Sequence, residues 1–172
     1  YGIGYTHFVE GNMKEAAEAF EEFVRDYTKR DDYLFDAQNR LGDSRFALRE
    51  FVSARNAYKV TIASPSVCRN YARYQLAMLE GIDNKSSKKI DMLKAIVQDG
   101  DGDYVDDAWY ELGRTHILAE RYAQGAATLQ DFVDSVGAGH SLLYGENAVA
   151  VLAAFIYRET GVGQFRAYPS TQ

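Results

Sequence analysis

The chain has 172 residues, of which 47% are apolar and 13% aromatic, and a formal net charge of −6. This composition supports a buried core and excludes a disordered polymer, while the negative charge argues against a nucleic-acid backbone as partner. Cys68 is the only cysteine, so an intrachain disulfide and a multi-cysteine metal site are both excluded.

Only Pro65 and Pro169 interrupt the chain, which leaves long stretches free to be helical. The longest apolar run, residues 148–157, is too short to cross a bilayer. Taken in order, the elements repeat. Ile3-Gly4 is followed at offsets five, ten, thirteen, sixteen and seventeen by Phe8, Met13, Ala16, Ala19 and Phe20. Leu41-Gly42 leads in the same way to Phe46, Phe51, Ala54, Ala57 and Tyr58. Leu76-Ala77 is weaker, leading to Gly81, Ser86, Lys89 and Leu93, and Leu112-Gly113 restores the pattern with Ile117, Tyr122, Gly125, Thr128 and Leu129. Leu152-Ala153 keeps Tyr157 and then decays, and Gly161-Val162-Gly163-Gln164 runs quickly to Tyr168-Pro169-Ser170-Thr171. A small residue four before the anchor (Ala37, Ala72, Ala108 and Ala148) supports the register.

The anchors at 3, 41, 76, 112 and 152 are separated by 38, 35, 36 and 40 residues, which predicts a two-helix unit repeated in a solenoid. The spacing places units at about 1–31, 32–66, 67–102, 103–139 and 140–172, the last incomplete. The register starts inside a helix, so the sequence reads as one solenoid segment of a longer protein, with any targeting signal outside it. The small residue after each anchor lets the first helix approach its partner closely. The aromatic at offset ten opens the second helix after a polar turn such as Glu10-Gly11-Asn12 or Arg49-Glu50, and alanines leave room for the large residue at offset seventeen. One hairpin cannot bury its apolar stripe alone, so neighbours must stack.

Leu41-Gly42, Ala54 and Tyr58 resemble the Leu-Gly pair, the small residue and the following aromatic of the tetratricopeptide repeat. The resemblance covers about residues 1–160 and implies an all-α, right-handed α-solenoid of stacked antiparallel helix pairs. The family's closing proline is absent: its place holds Thr28, Ser66, Asp101 and Gly137, with Pro65 one residue away. The long periods and segments such as Ala19-Phe20-Glu21-Glu22-Phe23-Val24 are similar to a bacterial subset of envelope proteins. That subset is linked to the Tol-Pal system and to outer-membrane barrel assembly, which implies a periplasmic or outer-membrane-associated location.

Asp99, Asp101 and Asp103 have the spacing of a calcium loop, but Tyr104 stands where its glycine belongs and Tyr110 where its glutamate belongs. The better reading is an inter-repeat loop in which Asp103 or Asp106 caps the next helix. His7 and His116 share a repeat position four after their anchors and are expected to pack or hydrogen-bond locally. His140 beside Ser141 is not a catalytic arrangement. With no nucleophile, base and orienter in view, neither catalysis nor a cofactor is expected of this segment.

The family resemblance implies that the first helices line a concave surface on which partners are held. The row two after each anchor reads Tyr5, Asp43, Met78 and Arg114; two before, Asn39, Tyr74 and Tyr110; five before, Asp36, Tyr71 and Asp107. This is an acidic, tyrosine-rich groove with one central arginine, Arg114, suited to a protein or peptide carrying basic and apolar residues. Only Asn39 and Arg114 match the residues with which family members clamp a C-terminal carboxylate, so no such clamp is expected. The residues therefore favour a protein-binding scaffold. The alternatives are an accessory segment of an enzyme or envelope machine whose active part lies elsewhere, and an RNA-reading repeat, which would need a basic groove.

Overall fold

The computed structural model describes residues 1–100 and 102–136. Among these residues it contains eight α-helices and no strand: α1 (Gly2–Val9), α2 (Met13–Asp26), α3 (Asp32–Ala47), α4 (Phe51–Ile62), α5 (Arg69–Ile82), α6 (Ser86–Asp99), α7 (Val105–Leu118) and α8 (Tyr122–Val136). The fold is an all-α solenoid of antiparallel helix pairs, and the anchors at 3, 41, 76 and 112 each fall on the first helix of a pair. The fifth anchor, Leu152-Ala153, and His140 lie outside the described residues. The chain divides into two compact units between Met92 and Leu93, inside α6.

In the first unit α1 packs on α2, α2 on α3, α3 on α4 and α4 on α5. The α2 sequence shows why. Ala16, Ala17 and Phe20 recur at helical spacing and are buried, while Lys14, Glu15, Glu18, Glu21 and Glu22 fill the opposite, exposed side. Phe20 and Ala16 form a core with Ala37, against which Tyr5, Phe8 and Leu41 pack. A second core joins Ala54 and Tyr58 of α4 to Ala72, Leu76 and Leu79 of α5.

The repeat offsets have direct physical counterparts. A methyl group added at Gly4 would stand 2.8 Å from the Phe20 ring, and one at Gly42 would stand 2.5 Å from the Tyr58 ring. In the second unit, α7 and α8 pair in the same way: a methyl at Gly113 would meet Leu129 at 2.5 Å, and one at Gly125 would meet Ile117 at 2.6 Å. At Gly4, Gly42 and Gly113 the small residue after the anchor is therefore the seat of the large residue at offset seventeen.

The turns within the hairpins are built by the backbone. Gly11, Arg49, Asn84 and Glu120, all eight residues after their anchors, have φ of 80°, 63°, 57° and 58°. In each turn this left-handed residue donates its N–H to a carbonyl three back, and the next residue donates five back, as in Arg49 to Phe46 and Glu50 to Arg45. This is the Schellman closure of a helix, usually signalled by glycine. Glycine marks it only at Gly11.

Between α4 and α5, hydroxyls replace the missing proline. Ser64 Oγ donates to the Thr61 carbonyl and accepts from Ser66 N–H, while Ser66 Oγ donates to Asp32 and accepts from Cys68 N–H. Asp31 caps α3, accepting from Leu34 N–H, and is itself held by the Tyr27 hydroxyl at 2.8 Å. The N-cap position expected for Asp103 or Asp106 is held by neither. The residue before α7 is Tyr104, in a left-handed conformation with no side-chain cap, and Asp106 lies in the first turn. Asp101, the middle carboxylate of the calcium-like spacing, lies outside the described residues.

Candidate partner-binding face

Three successive first helices, α1, α3 and α5, bring polar and aromatic side chains together on one face of the first unit. Asp36 of α3 receives the hydroxyls of Tyr1, at 2.6 Å, and Tyr5. One helical turn later, Arg40 lies 3.5 Å from Asp36 and 2.6 Å from Asp43. Asp43 also accepts the Tyr71 hydroxyl of α5 at 2.6 Å and the Tyr58 hydroxyl of α4 at 2.7 Å. The Arg40 guanidinium stacks 4.6 Å from the centre of the Tyr71 ring and lies 5.8 Å from that of Phe8.

The spacing of α3 creates this cluster. Asp36, Arg40 and Asp43 are separated by four and three residues, so they share one side of the helix. The neighbouring helices then supply tyrosines from both directions. Asp43 is 12% exposed and Arg40 20%, so their attraction acts in a medium less polar than water. Burial opposes the charge on Arg40, but Asp43, Tyr71 and Asp36 more than offset it and hold the guanidinium above its ordinary range. Burial, followed by Asp36, pushes the Tyr1 and Tyr5 hydroxyls above the ordinary phenol range. Burial and Asp43 do the same to Tyr58. The hydroxyls therefore stay protonated and serve as donors.

Of the residues read from the sequence, Tyr5, Asp43 and Tyr71 belong to this cluster, and Tyr74 lies half-buried further along α5 with Met78. Asn39 is placed differently. It is 1% exposed, and its side-chain N–H donates to the Cys68 carbonyl at 3.2 Å, tying α3 to the start of α5. Cys68 itself is half-buried, and burial pushes its thiol pKa up.

Asp107, Tyr110 and Arg114 lie on α7 in the second unit, where Arg114 is exposed and bonds Glu111 at 2.9 Å. The central arginine of the first unit is therefore Arg40, one residue before its anchor, in a row that sequence reasoning did not follow. Its spacing from Asp36 and Asp43 was the available signal. Of the two expectations for His7 and His116 the structure shows packing: His116 is buried and His7 half-buried, and Nδ1 has no hydrogen-bond partner in either.

No group of three or more potential metal-ligating side chains occurs among the described residues. Among them, too, no helix is long and apolar enough to cross a membrane.

No protein-family model and no curated protein matches the sequence. Solved structures do match the fold. The chain is similar to the TPR-like repeats of a candidate kinesin light chain from Podosopora anserina, at 15% identity over 93% of this chain and 84% of that one, with a TM-score of 0.69. It is similar to MamA at 17% identity over 92% of this chain and 85% of that one, with a TM-score of 0.70. Another MamA structure covers 98% of this chain and 95% of its own at 15% identity, with a TM-score of 0.63. At these identities the likeness carries the fold, that of tetratricopeptide-like repeats.

Proposed function

We propose that this chain is a scaffold that holds a protein or peptide partner on the face formed by its first helices. The observation that carries the reading is the convergence of α1, α3 and α5 on Asp36, Arg40 and Asp43, with tyrosine rings around them. Such a face offers apolar ring surface together with oriented hydroxyls, a combination suited to protein recognition. Two carboxylates against one guanidinium leave it net negative, which favours a partner segment with Lys or Arg among apolar residues. Tyr74 and Met78 extend the face along α5, and Asp107, Tyr110 and Arg114 offer the equivalent positions on α7. The reading assigns no reaction to these residues.

Selection of binders from a random peptide library tests it. The expected binders combine Lys or Arg with apolar residues, and the variant Tyr74→Ala with Tyr110→Ala binds them at least tenfold more weakly, a change of about 1.4 kcal/mol. Circular dichroism of that variant should retain the helical signal. Unchanged affinity in a folded double variant, or binders rich in acidic residues, would sink the proposal.

A further inference from the structure

The position four after each anchor holds His7, Arg45, Glu80 and His116. In the first unit this position fastens a first helix to the second helix before it. Arg45 of α3 reaches Glu21 of α2 as well as Glu50 in its own turn. Glu80 of α5 receives Arg55 of α4 at 3.1 Å, and Arg55 also holds Asp83 at 2.8 Å. Arg45 and Glu80 at this position each have an opposite charge within reach.

His116 holds the same position on α7 in the second unit. It is 5% exposed and its Nδ1 has no hydrogen-bond partner. Among the described residues two charged groups act on it, Lys94 of α6 and Arg121 at the entrance to α8, and both are cations. Lys94 lies eighteen after its own anchor, the place that Glu21 occupies in the first unit. Where the first unit sets a glutamate against an arginine, the second sets a lysine against a histidine.

We propose that His116 is an acid-sensitive latch: packed while its ring is neutral, it opens the α7–α8 hairpin when protonation adds a third cation beside Lys94 and Arg121. A buried imidazolium needs a carboxylate or a carbonyl to accept from it, and its Nδ1 has neither. Opening brings the ring to water and lets the three charges separate. Burial first, then Lys94 and Arg121, hold His116 below the ordinary histidine value of 6.5. The sign follows from linkage. Above about pH 6.5 both packed and opened states are neutral and the packing is at full strength. As the pH falls below that value the opened state takes the proton first, so stability is lost until the packed state also titrates.

Hydrogen exchange of the whole chain between pH 7.5 and 5.0, corrected for intrinsic rates, tests the latch. The amides of α7 and α8 should exchange at least tenfold faster at pH 5.0, while those of α3 and α4 keep their protection. His116→Gln should abolish the acid response. Lys94→Glu, a change at an exposed residue that installs the carboxylate found at Glu21, should remove or reverse it. An acid response that persists in His116→Gln, or that Lys94→Glu leaves untouched, would overturn the proposal. So would equal protection of α7 and α8 in the parent chain at both pH values. If His116→Gln does not fold, the Lys94→Glu result decides alone.

Discussion

The hairpins α3–α4 and α7–α8 follow one repeat template and stabilise it by different means. In α3–α4, the large residue seated on the glycine is Tyr58, whose hydroxyl is bonded to Asp43, and Asp43 in turn joins Arg40 and Tyr71. In α7–α8 the seated residue is Leu129, which has no polar atom, so the contact at that seat is apolar. The Trp109 and Phe132 rings stack 6.4 Å apart and Ile117 lies over Gly125. The position of Asp43 is taken by Arg114, which is exposed and pairs with Glu111 one turn back on its own helix. A repeat template thus dictates where backbones approach. It leaves open whether the contact is polar or apolar.

The largest expected effect comes from removing a buried charge. Asp43→Ala leaves Arg40, 20% exposed, without its shortest partner and removes the carboxylate that accepts from the Tyr58 and Tyr71 hydroxyls. Breaking such a pair from one side costs about 3 kcal/mol. Arg114→Ala at the equivalent position removes an ion pair whose arginine is 47% exposed, and solvent screening keeps the change within about 0.5 kcal/mol. Chemical denaturation of the two variants measures both. Equal losses would mean that the polar cluster adds nothing beyond the shared packing.

A smaller difference separates the two glycine seats. Gly42→Ala drives a methyl into the Tyr58 ring, whose far end is held by Asp43, so ring and hydrogen bond must shift together. The expected loss is about 2 kcal/mol, after allowing for the helix preference of alanine. Gly113→Ala meets a leucine that can change rotamer, and costs about 1 kcal/mol. In a Tyr58→Phe background the penalty for Gly42→Ala should fall by about 1 kcal/mol, since the ring is no longer anchored. An unchanged penalty in that double-mutant cycle would show that the hydroxyl does not hold the ring.

These contrasts show which parts of the molecule could be read from its residues. Ile3-Gly4 with Phe20, and Leu41-Gly42 with Tyr58, are legible because a hairpin brings offset seventeen over the residue after the anchor. The cluster on the candidate face is less so. A row of equivalent positions predicts which residues share a side, but Tyr5, Asp36 and Tyr71 meet through neighbouring helices. Asn39 sits in the same kind of row and instead turns inward to the Cys68 carbonyl. Arg40 escaped the rows because its counterparts, Gln75 and Glu111, do not repeat its charge. Side-chain chemistry varies between copies even where the backbone repeats.

The smallest expected effect concerns turns that are common to both units. Arg49 and Glu120 occupy left-handed positions with φ of 63° and 58°, as Gly11 does at 80°. A side chain there is strained by about 1 kcal/mol through the contact of Cβ with the following carbonyl, and glycine relieves it. Glycine also has more freedom to lose on folding, which returns part of the gain. Arg49→Gly and Glu120→Gly should therefore each stabilise the chain by about 0.5 kcal/mol, with no change in helical signal. The sign should be the same in the polar and the apolar hairpin, because the Schellman bonds of both turns are made by backbone atoms. If one substitution stabilised and the other destabilised, side-chain contacts would have to set the turn, and the backbone would no longer account for its recurrence.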